Sequence, residues 1–548
     1  MNLAQRLYII GCMLFIWYAC MVIFPQITLL MGSTFSWFQF LGSNICFLIL
    51  WFLIQRKYFL VSDLKNNGFF LLVFSLIIYA CLWYANTILD CSFDGNWYHL
   101  DAIHLLNKGW NPIYSKLQES ETSFSFQYLA HFPKGSWLFG ANLLAFSGEA
   151  ELGKASTQIL SISLFLLSTH TCKEIFRLNY FSSFLIGLLT ATNPIILLNF
   201  GNHYADGQLA ALLCIGIIFS IQEISKGNPL NGILALLAFA LLANTKYNGT
   251  AYGILFTGVF LCYAYKFLEY PFKKIALIGM VWVFASFFLL GYNPFISNTI
   301  EKAHPFYPLN TGTQSVFNVA HNYPANFIQM NRFEKFLASL YAQPDWAIQP
   351  KSSTIKKLFS PISFESYSFG NSNLAGFGPF LPEVLLFLIP LGIWVFLGFE
   401  PKKRYLGIGF IVIILFSIFI NPESWVMRYV PQFWLIPIVL LLFLIQHKKS
   451  YLIGIFMSII LLTGNGVLGY HYLMKCHIHT KELINQVELV RHSKGAFMYD
   501  GGWSKPFQYR IEKLGLDLGK QEKLSKEDSL VKPFTGGLGA YFKKRTNK

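Results

Sequence analysis

The residue types that chemistry needs gather in a few short segments of this 548-residue chain. The richest reads Asp90-Cys-Ser-Phe-Asp94-Gly-Asn-Trp97-Tyr98-His99-Leu-Asp101-Ala-Ile-His104-Leu-Leu-Asn-Lys108. A carboxylate here, Asp94 or Asp101, suits a general base that takes a proton from an attacking hydroxyl. At about 100° per residue, Asp94, Trp97, Asp101, His104 and Lys108 share one side of a helix, with Leu100, Ile103 and Leu106 largely opposite. The pattern predicts a helix lying flat on a membrane, apolar side down. Asp94 also has a structural reading as an N-cap. Asp101, inside the helix, otherwise reads as a solvated face residue, and His99 and His104 as packing or polar-face histidines.

Four more segments carry charge: His131-Phe-Pro-Lys134-Gly135, Asn202-His203-Tyr204-Ala-Asp206, Asn244-Thr-Lys246 and Trp425-Val-Met-Arg428-Tyr429-Val-Pro431. Lys134 is placed to meet a phosphate, Lys246 again stands at an outer helix end, and Arg428 offers the planar fork that grips a phosphate bidentately. Their bland alternatives are snorkelling lysines and an arginine anchored at the interface beside Trp and Tyr. His203 and Asp206 read as turn residues before they read as a shared metal site. No glycine-rich nucleotide loop is present, and the residues point to no particular cofactor. A divalent metal stays compatible with the donor set.

The elements that must hold these residues are apolar. The chain is 54% hydrophobic and only 13% charged, against about 25% charge in ordinary soluble domains. Apolar runs fall at 7–25, 35–54, 69–88, 151–171, 180–199, 207–223, 229–243, 250–268, 275–291, 379–399, 405–420, 431–446 and 451–470, predicting about thirteen membrane spans. A run at 136–147 is too short to cross and is expected in the interface. The fold class is therefore an all-α polytopic membrane protein with amphipathic helices in its outer loops.

Placement of Lys and Arg orients the chain. With the N-terminus cytoplasmic, the short inside segments hold 15 such residues and the short outside loops 5, which fits the positive-inside rule. Loops 89–135 and 292–378, the turns around Asp206 and Arg428, and a tail at 471–548 then lie outside. Residues 1–470 form the membrane domain, and the tail reads as an appendage placed to cover the site or meet an acceptor. The net charge of +15 sits in clusters between apolar runs, which argues against nucleic acid. The nine cysteines include no CxxC and imply no disulfide framework. Charge is nearly absent within the spans, unlike in ion-coupled transporters.

Taken together, Asp94…Tyr98-His99, Gly109-Trp-Asn-Pro112, Phe132-Pro-Lys-Gly135, Asn293-Pro-Phe295, His304-Pro-Phe-Tyr-Pro308 and Arg428-Tyr429-Val-Pro431 resemble the C-type glycosyltransferase superfamily (GT-C). That group includes protein O-mannosyltransferases and lipid A aminoarabinose transferases, and the resemblance covers roughly residues 69–435. It implies an inverting transferase in a bacterial inner membrane, using a polyprenyl-phosphate sugar donor on the extracytoplasmic side. The acceptor would be a glycolipid, a polysaccharide or a protein. By motif position Asp94 is the base or acceptor-positioning carboxylate. Asp206 matches an acidic residue of a later outer loop, and Lys246 and Arg428 match basic residues near the donor phosphate. His99, His131, Lys134, His304 and Tyr429 complete the implied substrate-binding set. Two departures stand out: Gly95 follows Asp94 where many relatives carry a second acid, and the loop follows the third span rather than the first. The alternatives are a polysaccharide polymerase or ligase, and a non-enzymatic lipid or glycan transporter. Against the polymerase, Arg332 is the only arginine between 292 and 378.

Overall fold

The computed structural model describes residues 1–59, 64–118, 125–309, 324–342, 373–493, 496–524 and 530–545. Its helices, in chain order, are α1 (Leu3–Leu30), α2 (Trp37–Ile54), α3 (Leu64–Asn86), α4 (Leu100–Asn107), α5 (Phe126–His131), α6 (Gly135–Ser147), α7 (Ala155–Glu174), α8 (Tyr180–Ala191), α9 (Pro194–Leu197) and α10 (Asp206–Lys226). The rest are α11 (Pro229–Ala243), α12 (Tyr247–Phe267), α13 (Phe272–Val283), α14 (Ser297–Lys302), α15 (Arg332–Leu340), α16 (Leu381–Leu397), α17 (Pro401–Ile420), α18 (Leu435–Gln446), α19 (Tyr451–His492) and α20 (Lys505–Lys513). Three short strands, β1 (Phe497–Asp500), β2 (Lys532–Pro533) and β3 (Tyr541–Lys544), make an antiparallel sheet in the order β1-β3-β2.

Every predicted apolar run carries helix. Among the described residues, however, only seven helices are long and apolar enough to cross a bilayer: those at Leu3–Leu30, Trp37–Tyr58, Asn67–Asn86, Asp206–Lys226, Phe272–Leu290, Pro401–Ile420 and Lys448–His492. Thirteen spans are not shown. Four of the remaining apolar helices are shorter, at 10–17 residues. The run at 180–199 is in fact two helices. Asn193 caps Ile195 N at 3.0 Å, and Pro194 starts α9 where its missing N–H costs nothing.

Local signals start these helices as expected. Asn2 and Gln5 form a capping box on α1, and Asn228 with Pro229 opens α11. Helix α1 is apolar all round and packs against α2 and α7, while α10 packs against α7 and α11. Their most apolar windows are 83% and 89% buried, against 22% for α3. On α3, Leu72, Leu76, Tyr79 and Trp83 stand exposed. Such a stripe is a liability in water and ordinary in lipid. These long apolar helices are those of an integral membrane protein.

One helix measures the separation of its two ends. Asp206 opens α10 among the charged groups described below, and Lys226 closes it 3.8 Å from Glu174. Its 21 residues span about 30 Å, the thickness of a hydrocarbon core.

Two helices predicted to lie on the membrane surface are packed within the protein. Helix α6 is buried against α1, α2 and α4. Helix α4 is covered on both sides. Its apolar side meets α6, where Ile103 packs on Gly140. Its polar side is covered by α20: the Tyr509 ring lies 4.8 Å from the His104 ring and 3.8 Å from Lys108 Nζ. The amphipathic pattern is real, but a folded protein surface takes the place of water.

That surface is the tail, and it is folded. Helix α19 runs 42 residues, about 63 Å, well beyond a bilayer core. Leu483, Val487 and Val490 near its end form one core with Phe507, Ile511, Phe534 and Phe542.

Candidate functional site

Four charged side chains from four separate segments meet. Arg428 Nη1 donates to Asp94 Oδ2 at 3.2 Å and to Asp206 Oδ2 at 3.3 Å. Lys246 Nζ donates to Asp206 Oδ1 at 2.8 Å. Asp206 is 2% exposed at its side chain, while Asp94, Lys246 and Arg428 keep 14–17%. The cluster is thus mostly buried and still reachable. Tyr429 lines it, its ring 4.4 Å from Lys246 Nζ and 5.3 Å from the Arg428 guanidinium carbon, and Tyr204 stands 5.3 Å away on another side. Arg428 Nε is buried with no hydrogen-bond partner among the described residues. A guanidinium with unused donors beside an ammonium is an arrangement that accepts an anion.

Each residue is placed by ordinary backbone devices. Asp94 begins a single turn of wide helix over Gly95–His99, and its side chain makes no capping bond. The N-cap reading of Asp94 therefore fails, because its carboxylate turns to Arg428 rather than to a backbone N–H. Gly95 is required. A Cβ there would lie 2.1 Å from Asp90 Oδ2 and 2.4 Å from Ser92 Oγ. The place where a second acid would begin is filled by Asp90. Asp206 is the first residue of α10, whose preceding turn is held by Asn202 Oδ1 accepting from Tyr204 N at 3.0 Å. Lys246 sits in extended backbone between α11 and α12. The segment around Arg428 is fixed by Met427 N on Asn373 O at 2.9 Å and by Tyr252 Oη on Tyr429 O at 2.7 Å.

Burial tunes the surrounding groups. It lowers the Lys246 ammonium from its usual range, against the pull of Asp206. The Arg428 guanidinium, despite burial, is held above its usual range by the tyrosine and carboxylates around it. His99 lies on the rim, where burial and the Lys246 charge push it well down, and its neutral Nδ1 accepts from Trp137 Nε1 at 2.8 Å. Glu423 was not among the residues picked out from sequence. Burial pushes its carboxyl up to about 7, with Lys246 and Arg428 pulling it back. It lies only five positions before Arg428, in the same turn between α17 and α18, and that proximity was the available signal.

The other candidates stand elsewhere. Asp101 accepts from Ser125 Oγ at 3.1 Å, and its second oxygen is buried with no partner among the described residues. Burial pushes it up to about 6, with the Ser125 bond, Lys505 and Lys108 opposing. Asp101 thus faces the tail and makes no contact with Arg428. Lys134 donates to Ala130 O at 3.3 Å and Phe132 O at 2.5 Å. It is 2% exposed and neutralises the end of α5. His131 shares a hydrogen bond with Asn298 Oδ1 at 2.8 Å. His304 accepts from Phe306 N at 3.2 Å. His203 is taken by Asp90 rather than by Asp206, with Nδ1 2.9 Å from Asp90 Oδ2. Among the described residues, no group of three or more His, Cys, Asp and Glu sits together to hold a metal.

No family model, curated protein or solved structure matches this chain.

Proposed function

We propose that this chain is a membrane glycosyltransferase. In this reading it moves a sugar from a polyprenyl-phosphate donor to a glycolipid, polysaccharide or protein acceptor on the outer face, with inversion. The observation that carries the reading is the convergence of Asp94, Asp206, Lys246 and Arg428 on one mostly buried, still accessible cluster. It joins a carboxylate to two cations at the level where α10 begins, as a lipid-phosphate substrate would require.

The chemistry divides among these groups. Asp94 accepts the proton of the acceptor hydroxyl while the acceptor's hydroxyl oxygen bonds to the anomeric carbon. The bond from that carbon to the phosphate oxygen breaks, and the electron pair leaves with the lipid phosphate. Arg428 and Lys246 stabilise the growing negative charge, in a setting where water does not dilute them. Asp206 holds both cations in place. Lipid brings the donor laterally, so no nucleotide loop is needed.

The test is sugar transfer by purified protein in lipid nanodiscs, from a synthetic polyprenyl-phosphate sugar to a lipid-linked acceptor. Wild type transfers, and Asp94→Asn falls by about 10²- to 10⁴-fold with unchanged folding. Donor binding without turnover by wild type would overturn the enzyme and favour a carrier.

A further inference from the structure

We infer that Arg510, in the C-terminal tail, is a positioning residue for Asp94, so that the folded tail is a working part of the site. This rests on the proposed role of Asp94.

Within the Asp94 loop the bonds are short-range: Ser92 N and Oγ donate to Asp90 Oδ1 at 2.8 and 2.5 Å, and Asn96 N donates to Ser92 O at 3.2 Å. Apart from Phe93, residues 90–96 are polar or small, and a single wide helical turn covers 95–99. Arg510 ties this loop to the tail. It is 8% exposed and its donors all point inward. Nη1 donates to Asp90 O at 2.7 Å and to Asn96 Oδ1 at 2.6 Å. Nε and Nη2 both reach Glu151 Oε1, at 3.1 and 2.7 Å. Asn96 passes the constraint along, since its Nδ2 donates to Asp90 O at 2.8 Å and to Ser92 O at 3.0 Å. Ser504, at the start of α20, donates to Asn96 O at 2.5 Å. Residues 90, 92 and 96 bracket Asp94, and each is tied directly or at one remove to the tail.

The far side of the loop is tied to the Asp206 segment. Asp90 Oδ2 accepts from His203 N at 2.8 Å and pairs with its Nδ1. Asp94 N donates to Tyr204 Oη at 3.2 Å. The loop is therefore gripped between the tail and the turn that leads into α10. Asp94 and Asp206 can share Arg428 only while both grips hold.

Charge explains why arginine is needed. Burying a guanidinium is costly unless every donor is met. Glu151, although buried, is held well below the usual carboxylate range by Lys154 and Arg510. Lys154 keeps Glu151 paired at 2.6 Å when Arg510 is removed. Loss of Arg510 then frees Asp90 O and Asn96 without leaving Glu151 alone, so the effect falls on the loop.

The experiment uses the full chain in nanodiscs with two readouts. In Arg510→Met, kcat drops about 10- to 100-fold, the penalty of a misplaced reacting group. Donor KM stays within about threefold, because Lys246 and Arg428 are untouched. Arg510→Lys restores part of kcat. Amide hydrogen exchange quickens over 90–99 and stays at the wild-type rate over 425–430. Should Arg510→Met fold poorly, Ser504→Ala removes the bond to Asn96 O together with the cap on Phe507 N, leaves Arg510 in place, and moves both readouts the same way, by less. Wild-type kcat in Arg510→Met, unchanged exchange at 90–99, or faster exchange spread over the whole chain would each overturn the inference. A wild-type protein that transfers no sugar defeats the proposed function instead, while exchange at 90–99 still decides whether the tail holds the loop.

Discussion

Arg428 and Asp94 are 334 residues apart in the chain and 3.2 Å apart in space. The same guanidinium nitrogen also holds Asp206. One cation thus fixes the separation of two carboxylates that belong to different helices, while its Nε finds no partner among the described residues.

Arg428→Lys tests that bridge. A lysine keeps the charge and loses the fork, so it cannot hold both carboxylates and serve a phosphate. Transfer is expected to fall by about 10²- to 10³-fold, as when one donor to a developing anion is removed. Nanodisc transfer assays measure it. A loss under about threefold would mean that the guanidinium geometry is dispensable.

If the proposed donor binds at Lys246 and Arg428, Glu423 should make that binding depend on pH. Protonated, it leaves two cations facing two carboxylates. Through pH about 7 it ionises and adds a negative charge where the phosphate must bind. Donor KM should therefore rise as pH rises from about 6 to about 8. Glu423→Gln should flatten that rise and keep KM at its low-pH value. Steady-state kinetics across this range decide it. A pH profile identical in the two proteins would remove Glu423 from the site.

Asp101 should be a liability to stability rather than a base. Its folded carboxyl is pushed up to about 6, against about 3.9 in an unfolded chain. Between these values the folded protein holds a proton that the unfolded chain has lost, so stability falls as pH rises from about 4 to about 6. The two-unit difference is worth roughly 3 kcal/mol. Asp101→Asn keeps the bond from Ser125, loses the buried charge, and should melt higher than wild type at pH 7.5. Thermal melts from pH 4 to 7.5 would show the wild-type slope vanish in the variant. If transfer were abolished in a well-folded Asp101→Asn, the proton acceptor would have to be reassigned.

Gly95→Ala should damage the site with one methyl. The added carbon would press on Asp90 Oδ2 at 2.1 Å and displace the partner of His203. Transfer should fall about 10- to 100-fold, with a lowered melting temperature. Wild-type values for both would show that the loop yields freely at this point.

Much of the site was legible because charge is scarce in this composition. Asp94, Asp206, Lys246 and Arg428 stand out where helices leave the apolar runs. Their pairing was not legible, since it depends on how the helices carrying them pack. Lys134 and His131 looked equivalent to these residues in sequence. Lys134 is spent on the end of α5 and His131 on Asn298, partners that local pattern does not reveal. Glu423 and Arg510 were missed for different reasons. The first sits beside a more conspicuous arginine, and the second lies in a tail whose apolar positions are too few to announce a core.

By itself the sequence determined the solvent of this protein, the helical class that lipid imposes, and the two ends to which charge is sorted. Long apolar runs can satisfy their backbone in a bilayer only as helices, and ionised groups are driven to the edges. What only the tertiary structure decided is which residues face one another. Periodicity marks α4 as two-faced, but water, lipid or a folded tail can each cover a polar face. The tail covers it here because Arg510 finds Glu151, Asn96 and the Asp90 carbonyl in a single pocket. Contacts of that range are set by the packing of whole elements, which no local pattern encodes.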